Sequence, residues 1–115
     1  MEMMRGMQQM DSSRRSEKSI EQMLVRSVRA VGGICPKLVC PGMDGMPDRM
    51  VLLPEGRIAF VEVKAPGKKP RALQVKRHRQ LKALGFSVYV LDAPEGIGVI
   101  LDEISCCDRE GGDAE

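Results

Sequence analysis

Asp48, in the run Gly45-Met46-Pro47-Asp48, and the pair Glu62 and Lys64, in the run Glu62-Val63-Lys64 fourteen residues later, are the side chains whose types and spacing could do chemistry. Two carboxylates held side by side repel each other unless something positive sits between them. A divalent cation meets that need. Mg²⁺ favours oxygen ligands, keeps several waters, and usually takes one or two carboxylates together with phosphate oxygens, with Mn²⁺ as a substitute. Lys64 would then orient an attacking water or stabilise charge building on a phosphate. The competing reading is a structural salt-bridge cluster at a sheet end, and an E-x-K triplet alone is common. The preceding Pro-Asp, the turn between the two runs and their apolar flanks favour chemistry.

Those residues need a hairpin to meet, and the sequence supplies one. Residues 49–53 and 58–63 are short apolar runs with strand character, and Pro54-Glu55-Gly56 between them is turn chemistry. A three-residue loop commonly ends in the left-handed region, which suits Gly56. With Leu53 and Arg57 flanking the loop, antiparallel pairing sets Leu52 opposite Ile58, Met50 opposite Phe60 and Asp48 opposite Glu62. Lys64, two residues beyond Glu62, shares its face. The other face carries Val51, Leu53, Ala59, Val61 and Val63, so both strands read as central and buried on both sides.

The remaining chain reads as an α/β core. Ser16 can cap a helix running to about Val31, with Ile20, Leu24, Val28 and Val31 as the buried stripe and Gly32-Gly33 as its stop. Residues 34–39 are expected to form a first strand, and residues 40–47, rich in Gly and Pro, a loop leading to Asp48. After a loop over 65–70, a helix is expected from about Arg71 to Leu84, burying Leu73, Leu81 and Leu84, with Gly85 as its end. Residues 87–91 are the next strand. Residues 94–104 fit either a strand or a helix, and a helix from about Val99 is favoured because Asp102-Glu103-Ile104 extends it. The order is αβββαβ, with a central mixed sheet flanked by helices. Gln74, one turn into the second helix and beside its apolar stripe, could point toward the strand ends that carry Glu62 and Lys64. His78 is the single histidine of the chain. A lone His on a basic helix is read as a surface or DNA-contacting group and stays out of the catalytic set.

At 115 residues the chain is one domain, long enough for a single core and short enough that a partner subunit would help. With no Trp, one Tyr and two Phe it lacks the aromatic platforms of a base-stacking single-strand binder. The net charge of +2 conceals segregation: residues 64–82 hold eight Lys or Arg and no acid, while residues 92–115 hold eight acids and only Arg109. Ordinary solvated faces mix signs, so the basic block is the expected path of a phosphate backbone, with Lys68, Lys69, Arg71, Lys76, Arg77 and Arg79 as the contacts. The four cysteines form no C-x-x-C pair and read as free thiols of a reducing cytoplasm. Residues 1–15 lack a continuous apolar stretch, so they are read as a disordered leader and not as a signal peptide or membrane span. Residues 106–115 are read as an acidic tail, which leaves 16–105 as the functional domain.

G-x-P-D, a strand, a G-R turn and E-V-K resemble the PD-(D/E)xK nuclease superfamily, and within it the VRR-Nuc family in its small stand-alone form from phages and bacteria. The likeness runs from Ser16 to Asp92. Glu17-Lys-Ser-Ile20, the helix that follows and the Gly pair are similar to the family's opening E-x-x-I-Q helix, and Gln74, Leu81 and Gly85 to the Q, L and G of its later helix. Glu21 stands where the family usually has Gln, and His78 where an aromatic often sits. The resemblance implies a restriction-endonuclease-like core and a Mg²⁺-dependent endodeoxyribonuclease, with Asp48, Glu62 and the Val63 backbone carbonyl holding the metal. Glu17 and Glu21, one helical turn apart on one face, are both candidates to reach water at the metal, and Gln74 supports the site or positions phosphate. It also implies a Holliday junction resolvase-like homodimer acting on branched DNA. The apolar stretch 97–101, hard to bury in so small a core, is the expected dimer surface. Two other classes compete. A non-catalytic DNA-binding module would have lost a metal ligand, yet Asp48, Glu62 and Lys64 are all present. A structural or regulatory phage protein leaves the segregated charge unexplained.

Overall fold

The computed structural model describes residues 16–113, with side chains described through Cys106. The leader read over residues 1–15 lies outside them. The elements run α1 (Glu17–Ala30), β1 (Arg49–Leu53), β2 (Arg57–Val63), α2 (Ala72–Ala83), β3 (Ser87–Leu91) and α3 (Gly96–Asp113). Helix α3 thus continues into the segment read as an acidic tail.

Helix α1 starts where the sequence places it: the Ser16 hydroxyl accepts the Ser19 N–H at 3.1 Å. Ile20, Leu24 and Val28 are fully buried, each contributing about 1.5–3 kcal/mol of burial. Val31, expected as the fourth member of that stripe, is instead 51% exposed. It is the C-cap residue, where the backbone has already left the helix and turned its side chain outward.

The sheet has the order β1-β2-β3, antiparallel between β1 and β2 and parallel between β2 and β3. Met50 pairs with Phe60 and Leu52 with Ile58, the register set by the apolar pattern and a three-residue turn. In that turn both Glu55 and Gly56 are left-handed, with φ 72° and 76°. Strand β2 is buried on both faces from Ala59 to Val63. One face, with Val51, Leu53, Ala59, Val61 and Val63, packs against Ile20, Leu24 and Val28 of α1 and Ile97, Ile100 and Ile104 of α3. The other carries Phe60 and Val88, which cluster with Leu81 of α2 and are flanked by Leu38, Met46 and Met50.

Three expectations change here. Residues 34–39 do not form a regular strand. They touch β1 through two isolated antiparallel bridges, Ile34 with Leu52 and Lys37 with Arg49. Pro36 sits between the bridging residues without an N–H to donate, so the ladder is interrupted. Leu73 and Leu84, expected to be buried on α2, are 41% and 73% exposed. Helix α3 begins at Gly96 and not near Val99, since Ile97, Ile100 and Ile104 recur at helical spacing and their burial outweighs the glycine penalty. Ile97 and Ile100 are only 6% and 5% exposed. Within the stretch 97–101 these two belong to the core of the single chain, while Gly98 and Val99 are exposed and Leu101 is half-buried, so only part of it offers the apolar surface expected.

The chain reverses tightly after α1. Gly33 bonds back to the Val28 carbonyl at 3.0 Å, and a Cβ built on it would lie 2.3 Å from the Leu52 carbonyl oxygen and 2.9 Å from the Leu53 side chain. A backbone oxygen cannot move aside as a side-chain tip can, so Gly33→Ala must displace α1 from β1. Chemical denaturation should show a loss of about 1–3 kcal/mol or more, and an unchanged midpoint would mean that the reversal is not tightly packed.

Candidate active site

The site begins with the loop over residues 40–47, which is docked against α2 before it delivers Asp48. Gly45 has φ 89°, and a Cβ there would lie 2.8 Å from the Leu73 carbonyl oxygen, so the loop backbone approaches α2 as only glycine allows. Arg77 Nε donates to the Asp44 carbonyl at 2.8 Å, and Arg77 Nη1 to Gln80 Oε1 at 2.8 Å. Pro47 is fully buried. Asp48 is then gripped from two sides: its carbonyl accepts the Leu38 N–H at 2.8 Å, and its Oδ2 accepts the Val63 N–H at 2.8 Å. The side-chain bond ties Asp48 to the end of β2, beside Glu62, as the antiparallel register requires.

Glu62 is 1% exposed. Its Oε2 accepts Gln74 Nε2 at 2.9 Å and faces Lys64 Nζ at 3.5 Å. Gln74 cannot swing away, because its Oε1 accepts the Arg71 N–H at 2.8 Å. That bond satisfies one of the open donors at the start of α2 in the manner of the reaching-back half of a capping box. Among the described residues Glu62 Oε1 has no hydrogen-bond partner, and neither does His78 Nε2, 3.7 Å away. Burial and the neighbouring Asp48 charge push the Glu62 carboxyl up to about 7, against the opposing pull of Lys64. Burial, with the Lys82 charge second, pushes His78 down from the ordinary imidazole value.

Asp48, Glu62, Lys64 and Gln74 are therefore brought together. Glu21 is not among them: its Oε2 pairs with Arg49 Nε at 2.8 Å, and Arg49 Nη1 donates to the Cys35 carbonyl at 2.7 Å. Of the two acids on α1, Glu21 thus anchors the residue after Asp48. Glu17 is exposed in the first turn, and among the described residues no hydrogen bond or ion pair joins it to the cluster. Lys68, Lys69, Arg71, Lys76 and Arg79 are exposed on the α2 side, whereas Arg77 already spends two donors within the protein.

His78 is the residue beside Glu62 that apolar periodicity missed. It is 6% exposed, not a surface group, and it shares the buried side of α2 with Gln74 and Leu81. The spacing 74, 78, 81 is a helical stripe in its own right, but two of its members are polar, so a search for buried leucines passes over it.

The donor set suits a hard cation. Two carboxylates side by side, one of them with a buried oxygen that no described residue hydrogen-bonds, offer oxygen ligands that a divalent ion would satisfy. Among the described residues no group of three or more His, Cys, Asp and Glu is gathered in a metal-holding arrangement. The other ligand positions would fall to a backbone carbonyl such as that of Val63, the last residue of β2, and to water or phosphate.

Without a cation, the raised Glu62 value has a definite consequence. The folded chain holds this proton more tightly than the unfolded chain, so the associated stability is full below about 4.5 and disappears as the pH rises through about 7. Cation-free protein should lose on the order of 1–3 kcal/mol across that window. In Glu62→Gln the loss should be absent, and thermal melts from pH 4.5 to 8 would show it; parallel pH profiles for the two proteins would refute this account of Glu62.

No family model matches the chain. The protein named "Putative nuclease p44" of Acyrthosiphon pisum secondary endosymbiont phage 1 is 54% identical over 79 residues, which cover 69% of this chain and 85% of that protein. A solved structure described as a VRR_NUC domain superposes with a TM-score of 0.70 at 30% identity, over 75% of this chain and 94% of its own. With the α/β core, the Asp48 to Lys64 hairpin and Gln74 in the places the resemblance implies, the chain belongs to the VRR-Nuc family.

Proposed function

We propose that this protein is a Mg²⁺-dependent endodeoxyribonuclease that cuts branched DNA, four-way Holliday junctions above all, as a homodimer. The observation that carries the nuclease reading is the buried Glu62, set beside Asp48 and Lys64 with one oxygen left without a partner. The naming of the phage relative as a nuclease and the likeness to a VRR_NUC domain support the same reading.

Asp48, Glu62 and the Val63 carbonyl would hold the cation, and Mn²⁺ would serve in place of Mg²⁺. When bound, it supplies Lewis-acid polarisation of the scissile phosphate and makes water a better nucleophile at neutral pH. The chain's own groups do the rest. Gln74 fixes the Glu62 carboxylate from behind, so its free oxygen keeps one direction. The Lys64 ammonium, 3.5 Å from Glu62 and partly exposed, is placed to orient the attacking water or to stabilise charge developing on the phosphate. Asp48 is held by the Val63 N–H, so both carboxylates are in place before substrate arrives. The exposed Lys76 and Arg79, with Lys68, Lys69 and Arg71, give the substrate backbone a basic approach.

The dimer follows from substrate symmetry. A four-way junction resolved by two symmetric incisions needs two copies of a single site, and a two-fold dimer supplies them through one self-complementary surface. The core claims Ile100 and most of Ile97, which narrows that surface to the shallow groove between α1 and α3, where Ile97, Gly98 and Leu101 join Met23, Val31 and Pro94.

Asp48→Ala, Glu62→Ala and Lys64→Ala should each lower cleavage by at least about 10²–10³-fold while the protein stays folded. Mg²⁺ should raise the melting temperature of the wild type and not that of Glu62→Ala. Robust Mg²⁺-dependent cleavage by Glu62→Ala would sink the assignment. For substrate and assembly, junction and duplex cleavage at equal enzyme would be compared, together with light scattering during size exclusion. Faster junction cutting by a dimer is expected; equal rates, or a monomer throughout, would leave a generic nuclease as the better description.

A further inference from the structure

A groove of about 510 Å³ lies along α1, and its lining includes Lys18, Arg26, Arg29, Lys37 and Arg49 against one acid, Glu21. Glu21 is already neutralised by Arg49 at 2.8 Å. Lys18, Arg26, Arg29 and Lys37 are all exposed and make no ion pair among the described residues. Like charges gathered without acids between them repel one another, an arrangement that an ordinary solvated face avoids by mixing signs.

We propose that this groove is a second binding site for the phosphate backbone of duplex DNA, separate from the basic tract on α2. The inference rests on the nuclease reading above and extends it. Spacings of eight and eleven residues from Lys18 bring Arg26 and Arg29 to one side of α1. That stripe extends about 16 Å along the helix at 1.5 Å per residue. It matches about five steps of a strand rising 3.4 Å per base pair, far more than a single small anion could neutralise. Arg and Lys are the groups that neutralise a phosphate backbone.

The position of the groove determines which DNA can use it. Helix α1 covers the sheet face of Val51, Val61 and Val63, while Leu81 of α2 belongs to the cluster of Phe60 and Val88 on the other face. The two basic tracts therefore lie on opposite faces of the sheet. Arg49, which lines the groove, is the chain neighbour of Asp48, so the groove reaches the end of the sheet where the carboxylates sit. A straight duplex cannot follow both faces at once. Two duplex arms that diverge at the Asp48 and Glu62 end can, one held by α2 and the other by α1.

The test is DNA binding in EDTA, followed by fluorescence anisotropy across a salt series, with a labelled four-way junction and a labelled short duplex. The protein variant carries Lys18→Gln, Arg26→Gln, Arg29→Gln and Lys37→Gln; because these side chains are exposed, its melting temperature should match the wild type. Should it fail to fold, the pair Arg26→Gln and Lys37→Gln serves instead. On the junction, affinity should fall at least about tenfold near 0.15 M salt, and the slope of log affinity against log salt should shrink by about two units or more. The short duplex, still held by α2, should lose no more than about threefold. An unchanged junction slope in the variant, when the wild type binds the junction and cuts it once Mg²⁺ is added, overturns the groove alone. Wild-type protein that neither binds nor cuts any DNA strikes instead at the nuclease reading. Capture of polyglutamate by the groove in preference to the junction would assign it to an acidic protein and overturn the proposal.

Discussion

A carboxylate near the end of the central strand, 1% exposed, is the constraint around which this structure is arranged. Removing an ionised carboxylate from water costs several kcal/mol unless partners compensate, and Glu62 is compensated only in part. Gln74 supplies one hydrogen bond and Lys64 one charge at 3.5 Å, while Asp48 adds repulsion. The deficit appears as a carboxyl raised to about 7 and an oxygen without a partner. Such a site persists only where its surroundings fix it more firmly than it can relax. Here the anchors are a fully buried apolar layer on one face of β2 and a helix pinned through Gln74 on the other.

The β1–β2 register transmits that constraint to the rest of the cluster. Neighbouring residues of an extended strand point to opposite faces, so Asp48 and Arg49 diverge: Asp48 reaches the Val63 N–H, while Arg49 reaches Glu21 and the Cys35 carbonyl. Each holds the other's backbone in place. A slip of one residue would exchange their directions, putting a guanidinium beside Lys64 and a carboxylate beside Glu21. The ion pair between α1 and Arg49 thus guards the position of Asp48 without touching Glu62.

How far this was legible in the sequence depended on whether local patterning or tertiary context decided the outcome. The hairpin was legible because apolar alternation and turn chemistry agree, and with it came Asp48, Glu62 and Lys64 in register. The start of α1 was legible through Ser16. On α2 the pattern misled, because the helix lies over a charged residue. Its buried side is Gln74, His78 and Leu81, and its leucines at 73 and 84 face outward. The polar stripe becomes readable only once Glu62 is known to lie beneath it. Residues 34–39 look like a strand by composition, but the missing N–H of Pro36 decides against regular pairing. Glu17 and Glu21 lie one helical turn apart on one face, which left the choice open in sequence, and only the position of Arg49 distinguishes them.

Charge shows the same division between what is linear and what is folded. The basic block at 64–82 is visible because nothing acidic interrupts it. The cations of α1 are hidden in the sequence because Glu17 and Glu21 stand among them, so the segment reads as mixed. Folding separates the signs: Glu21 turns inward to Arg49, and Lys18, Arg26 and Arg29 align along the groove that Lys37 joins from beyond the helix. A net charge of +2 is therefore compatible with two concentrated positive surfaces, one on each face of the sheet, and the carboxylates that would repel a phosphate lie at the sheet end between them. Attraction flanking a repulsive centre favours a polyanion more strongly once a cation occupies that centre, which couples substrate binding to metal binding through electrostatics alone.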